Sequence, residues 1–185
     1  MDVLNKDEYF IRMDEIKEKI ALGALFIYPT DTIYSIGCDA TNPTSVKKIR
    51  EIKEKPDGGF SVIPPHKQWI YDNCVIDDQA KDHIENNLPS TDTLRLTLAN
   101  KNAVCKEATS GEEVINVRIP KSWIRGIVRQ VDKPIVITAV NKLGRVPMTN
   151  VEDLDPEIKS RVDLIIEEGS IKGMPSKLIH LEAKP

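Results

Sequence analysis

The chain has 185 residues, of which 40% are hydrophobic and 30% charged, with a formal net charge of −3. That length and balance fit one globular domain spanning residues 1–185, and exclude a disordered chain and one whose overall field recruits nucleic acid. No apolar run reaches membrane-spanning length and "MDVLNKDEYF" lacks a signal-peptide layout, so a cytoplasmic protein without a membrane partner is expected.

In chain order, Phe10, Met13, Ile16 and Ile20 recur at helical spacing and predict a helix over 7–22, stopped at Gly23. "ALFIY" (24–28) reads as a short buried strand. A second helix starts at Pro43 with Asn42 as its cap, buries Val46, Ile49 and Ile52, and ends at "DGG" (57–59). "FSVI" (60–63) follows as a strand, then a helix from about Asp77 to Leu88, then strands at 93–100 and 113–120. A short helix over 122–130, a buried strand over 134–140, a helix from Pro156 to Val162, and strands at 163–167 and 177–182 complete the chain. Helices alternate with strands, and some neighbouring strands lack a crossover helix. The expected fold class is therefore α/β, a twisted mixed parallel and antiparallel sheet flanked by helices.

Three scattered cysteines, Cys38, Cys74 and Cys105, and three histidines give no disulfide framework and no zinc-ligand spacing. Neither a P-loop nor a GxGxxG is present, and no Ser-His-Asp or Cys-His arrangement can be assembled. An enzyme of this composition works by positioning and charge neutralisation. The residues suited to that are local. "YPTDTIYSIGCDA" (28–40) offers the hydroxyls of Thr30 and Thr32 and the ring of Tyr34 at a strand end, where α/β folds place ligands. As a plain turn, the same stretch would use Asp31 to bond its own backbone. "KKIREIKEK" (47–55) and "RIPKSWIRGIVRQVDK" (118–133) cluster cations, including Lys53, Lys55, Arg118, Arg125 and Arg129. Each cluster is either a solvated helix face or an anion site.

These motifs, in this order, resemble the YrdC/Sua5/TsaC family of L-threonylcarbamoyladenylate synthases. The resemblance rests on the PTDT-IY-SIGCDA block, a helix ending in a K-x-K-P element at 53–56, "NVRIP" (116–120), "ITAVNKLGRVPMT" (137–149) and "GMPSKLIHL" (173–181). It implies a YrdC-like sheet around a large basic cavity, without the additional C-terminal domain of longer members. It also implies a reaction that joins L-threonine, bicarbonate and ATP into threonylcarbamoyl-adenylate, the precursor of N6-threonylcarbamoyladenosine (t6A) in tRNA, which a downstream t6A transferase machinery would consume. On this resemblance Lys53 and Lys55 act on carboxylate and phosphates, Thr30, Thr32 and Tyr34 hold threonine, and Arg118, Asn141 and Ser176 hold the nucleotide. Mg²⁺ is expected to arrive with the ATP, so no protein metal site is expected.

The sequence departs from the pattern in places. Lys55 stands where the family has arginine, Gly59 where it has a second lysine, and Ala139 and Leu143 where it has serines. Lys177 and His180 replace a threonine and an aspartate, while Arg95 lies near a missing threonine. Each lost charged hydrogen bond is worth roughly 1.5–3 kcal/mol, so a second expectation is a non-catalytic nucleotide- or RNA-binding relative. A third is a domain with basic helices facing solvent and an unrelated ligand.

Overall fold

The computed structural model describes residues 1–142 and 144–183. Its strands form one mixed sheet. In order across it lie β1 (Asp2–Leu4), β9 (Leu164–Ile166), β2 (Phe26–Pro29), β3 (Tyr34–Gly37), β8 (Ile135–Ala139), β4 (Ser61–Ile63), β7 (Val114–Val117), β6 (Thr93–Leu98) and β10 (Leu178–His180), and β5 (Cys74–Val75) pairs with β6. β1 and β2 run parallel to β9, β4 parallel to β7, and β10 parallel to β6; the remaining ladders are antiparallel. The expected mixed α/β sheet is the one observed.

Strand alternation sorts the core into two layers. Ile27, Ile36 and Val136 join a cluster with Val46, Ile49 and Ile52 of α3 (Pro43–Ile52) and Ala80 and Ile84 of α5 (Asp78–Asn87). Phe26, Tyr28, Ile135 and Ile137 project the other way. There they meet Tyr9 of α1 (Lys6–Ile11), Ile16 and Ile20 of α2 (Met13–Ala21), and Ile127 and Val128 of α7 (Arg125–Val131). Gly37 has no room for a side chain, because a Cβ would collide with the Val136 carbonyl across the β3–β8 ladder.

Several local expectations are corrected. The helix expected over 7–22 is two helices meeting at Arg12 (φ −100°, ψ 20°). Arg12 is held there by ion pairs to Asp2 and Glu15. The break changes the helical phase, so Tyr9 is buried and Phe10 is 50% exposed instead of joining the core. The 66–76 region contains α4 (Lys67–Asn73), which pattern reading missed because its cap is unusual: His66 Nδ1 accepts from the Trp69 amide at 3.0 Å. α6 (Lys106–Thr109) and β1 are too short to show periodicity. α8 (Pro156–Ser160) is capped by Asp155. No helix among the described residues is long and apolar enough to cross a membrane.

Candidate functional site

The PTDT stretch is a β-hairpin turn. β2 ends at Pro29, which pairs with Tyr34 at the start of β3. Thr30 Oγ1 accepts from the amides of Thr32 (3.1 Å) and Ile33 (3.2 Å) and donates to the Ile33 carbonyl at 2.7 Å. A hydroxyl has one proton, so the 3.0 Å contact between the two threonines is donated by Thr32. Thr32 in turn accepts from Arg118 Nη2 at 3.0 Å.

Asp31 completes the network. Its Oδ1 accepts from Arg118 Nη2, and its Oδ2 from the Lys121 amide at 2.8 Å. The Arg118 side chain is only 4% exposed, and burial pulls its pKa below the usual arginine range while Asp31 opposes that shift. The Nε of Arg118 is buried without a hydrogen-bond partner among the described residues. A buried N–H left unpaired costs about 1–3 kcal/mol, which an incoming acceptor would recover.

The lysines come from the end of α3. Lys53 is its C-cap, and Glu54 adopts a left-handed φ of 52°, turning the chain so that Lys55 enters the next loop. Arg50 organises that loop, donating to the carbonyls of Lys55 (3.1 Å), Gly58 (3.1 Å) and Glu107 (2.6 Å) while its guanidinium lies 4.6 Å from the Phe60 ring. Lys53 is 5% exposed and donates to the Ala139 carbonyl at 2.6 Å and, at 3.4 Å, to Asn141 Oδ1. Burial first, and the neighbouring Lys55 second, push its pKa down to about 8. Lys55 donates to the Gly59 carbonyl at 3.0 Å and sits 5.0 Å from the Phe60 ring; burial and then Arg50 lower its pKa. Neither lysine makes an ion pair among the described residues.

Between the hairpin and the lysine loop lies a cavity of about 260 Å³. Thr32, Lys55, Arg118 and Ser176 line it, together with Ser35, Ser61, Thr93, Asn116 and Thr138, which the sequence patterns do not single out; among the described residues no carboxylate does. The signal for these was a polar residue interrupting an otherwise apolar strand, as in "FSVI" and "VINV". The volume falls just below the roughly 300–1,000 Å³ of ligand pockets, smaller than the large cavity that the resemblance implied. One reason is the segment closing it. Pro175 and Ser176 form part of its wall, and Ser176 Oγ bonds Thr93 Oγ1 at 2.9 Å. At Gly173 the chain lies so close to the hairpin that a Cβ would collide with the Thr32 carbonyl.

The remaining candidates stand behind the wall, Lys53 among them, which reaches the wall only through the Ala139 carbonyl and does not line the cavity. Thr30 shapes the turn and does not line the cavity. Tyr34 is fully buried; its hydroxyl donates to the Gly169 carbonyl (2.7 Å) and accepts from the Glu168 amide (2.9 Å), pinning the start of the closing segment. Burial raises its pKa. Asn141 donates to the carbonyls of Lys142 (2.9 Å) and Arg145 (2.8 Å), folding the loop that accepts Lys53. Arg95 does not face the cavity, being paired with Glu112 (2.8 Å) and Glu182 (2.9 Å), and Lys177 is exposed. Leu143 lies outside the described residues.

The fold and site define the class, a mixed α/β domain with a hydroxyl- and cation-lined hollow, and comparison with known proteins narrows it. The family model Sua5_yciO_yrdC, described as "Telomere recombination", matches residues 18–185. The chain belongs to this Sua5/YciO/YrdC family. A protein of Methanocaldococcus jannaschii named "Putative threonylcarbamoyl-AMP synthase" is 29% identical over 182 residues, covering 97% of this chain and 84% of that protein. The structure of P. abyssi Sua5 complexed with L-threonine superposes with a TM-score of 0.87 at 22% identity, covering 98% of this chain and 54% of Sua5, so this chain spans about half of that protein. E. coli YciO superposes at 0.84 with 22% identity, over 98% of this chain and 89% of that chain. The two superpositions establish the fold.

Proposed function

We propose that residues 1–185 act as one YrdC-like domain that synthesises threonylcarbamoyl-AMP from L-threonine, bicarbonate and ATP. The observation that carries this reading is the meeting of two elements at one cavity: the Thr32–Arg118 wall and the lysine loop, whose cations lack counter-charges. Anionic reactants supply those counter-charges. The threonine amine attacks the bicarbonate carbon with loss of water, and a carbamate oxygen then displaces pyrophosphate from the α-phosphorus.

In this reading Thr32 and the surrounding hydroxyls hold the amino acid, with Thr30 and Tyr34 shaping their wall. Lys53 and Lys55 neutralise carboxylate and phosphate charge, Arg118 offers its unpaired Nε, Ser176 contacts the nucleotide, and Asn141 positions Lys53. Orientation and charge neutralisation supply the rate, with no covalent nucleophile. Mg²⁺ would be held by the nucleotide's own phosphates. The relatives' names, and the L-threonine in P. abyssi Sua5, support the substrate assignment. The product would enter t6A formation on tRNA through a separate transferase machinery in the cytoplasm.

Incubation with ATP, threonine and bicarbonate should release pyrophosphate in a threonine-dependent manner, and Lys55→Ala should lower the rate at least about tenfold. Release no faster than in Lys55→Ala overturns the proposal. A second reading has its own support: Gly59 and Ala139, where the family pattern has lysine and serine, both line the cavity. On that reading the domain binds nucleotide or RNA without turnover. It predicts ATP binding, or RNA binding that weakens steeply with salt, in the absence of pyrophosphate release.

A further inference from the structure

On the other side of the 117–121 segment from the cavity lies a second hollow, of about 370 Å³. Arg118 faces the first and Ile119 lines the second. The floor of the second hollow is apolar, formed by Pro64, Pro89 and Ile119 among others, and its polar residues are His66, Lys67, Arg125 and Arg129. None of its lining residues is acidic, although the chain carries 29 acidic against 26 basic side chains. An acid-free cleft is therefore not what this composition gives by default.

Arg129 sits in the last turn of α7, where the helix dipole favours a cation, and Lys67 donates to the Glu85 carbonyl at 3.5 Å, but the two arginines here lack a counter-charge. Arg12, Arg95, Arg118 and Arg161 each pair with a carboxylate. Arg125 and Arg129 make no ion pair among the described residues, and Arg125 is held only by Nε donating to the Ser122 carbonyl at 3.3 Å. Spaced four residues apart on α7, they share a helix face and repel. Arg125 and Lys67 each occupy the first residue of their helix, where the helix dipole gives a cation no benefit. His66 accepts through Nδ1, so its neutral form carries its proton on Nε2 and is a donor there.

We propose that this cleft binds a phosphate monoester, its phosphate gripped by Arg125 and Arg129 and its apolar or ring body lying on the proline floor. Two guanidinium forks are suited to phosphate oxygens, and an apolar floor beside them selects an ester over the free ion. The site is separate from the threonine and ATP cavity and does not depend on the activity proposed there.

Backbone-amide NMR titration with AMP, ribose 5-phosphate and inorganic phosphate, each to about 10 mM, and separately with a short RNA oligonucleotide, tests this. Saturable shifts are expected at Ile119, Arg125 and Arg129, with both esters binding several-fold tighter than inorganic phosphate. The double variant Arg125→Gln/Arg129→Gln should weaken the cleft response at least about tenfold while leaving shifts at Ser35, Ser61 and Thr138 unchanged. Three results would overturn the proposal: no cleft shifts with any probe, equal affinity for inorganic phosphate and the esters, or a response to an RNA oligonucleotide alone. Cleft shifts that survive in the double variant would overturn it equally.

Discussion

On the hairpin side of the cavity, charge meets charge: Arg118 faces Asp31, and the threonine hydroxyls are committed to each other and to the backbone. On the lysine side, Lys55 lines the cavity and is held by the Gly59 carbonyl, while Lys53 stands behind it, held by the Ala139 carbonyl and Asn141 Oδ1, and burial depresses both pKa values. One wall has its charges paired by the fold, with the Arg118 Nε–H left for an acceptor, and is fit for shape recognition. The other is left short of negative charge, which a bound anion can provide. The difference teaches where stability and function should part company in mutants.

The largest effect is expected on the finished wall. Asp31→Ala strands a buried guanidinium and should destabilise the fold by about 3–5 kcal/mol, read as a lowered midpoint in chemical denaturation; a loss below about 1 kcal/mol would mean that Arg118 is not held as described. On the unfinished wall the sign reverses. Lys53 has a folded pKa of about 8, below its ordinary 10.5, so between those pH values the unfolded chain binds more protons and stability rises with pH. The rise amounts to roughly 3 kcal/mol and should be missing from Lys53→Met, while the penalty is fully present in the wild type below pH 8. Parallel stability–pH curves for the two proteins would break the comparison.

Smaller changes sharpen it. Tyr34→Phe leaves the Glu168 amide and the Gly169 carbonyl without their partner, so a loss of about 1–3 kcal/mol is expected, with faster hydrogen exchange at Glu168. Gly59→Lys adds a cation to the unfinished wall. Its Cβ would meet nothing closer than 3.5 Å, so the fold should tolerate it. ATP affinity should rise about three- to tenfold in calorimetry; unchanged affinity would place the phosphates elsewhere.

Much of the architecture was legible because its signals are local. Asn42 and Pro43 announce α3, and alternation in "TLRLTL" announces β6. The break at Arg12 was not legible, since it depends on an ion pair to Asp2, distant in the helix pattern and set by where β1 lies. At the site, motif order pointed to Thr32, Lys55, Arg118 and Ser176, all of which line the cavity. It did not separate them from Thr30, Tyr34, Lys53 and Asn141, which support the wall from behind, because facing direction depends on tertiary packing. In the sequence Arg50 is one charge in a basic run, yet its contacts to the carbonyls of Lys55, Pro56, Gly58 and Glu107 make it the organiser of the lysine loop.

The most direct test of the unfinished wall is the titration of the Lys53 ammonium by lysine-selective NMR, without and with saturating ATP. The account predicts a value near 8 in the free protein and a marked rise when the phosphates bind, with ATP affinity falling as pH climbs through that free value. A Lys53 that titrates near the ordinary 10.5 in the free protein, or one that ATP leaves unmoved, would contradict it.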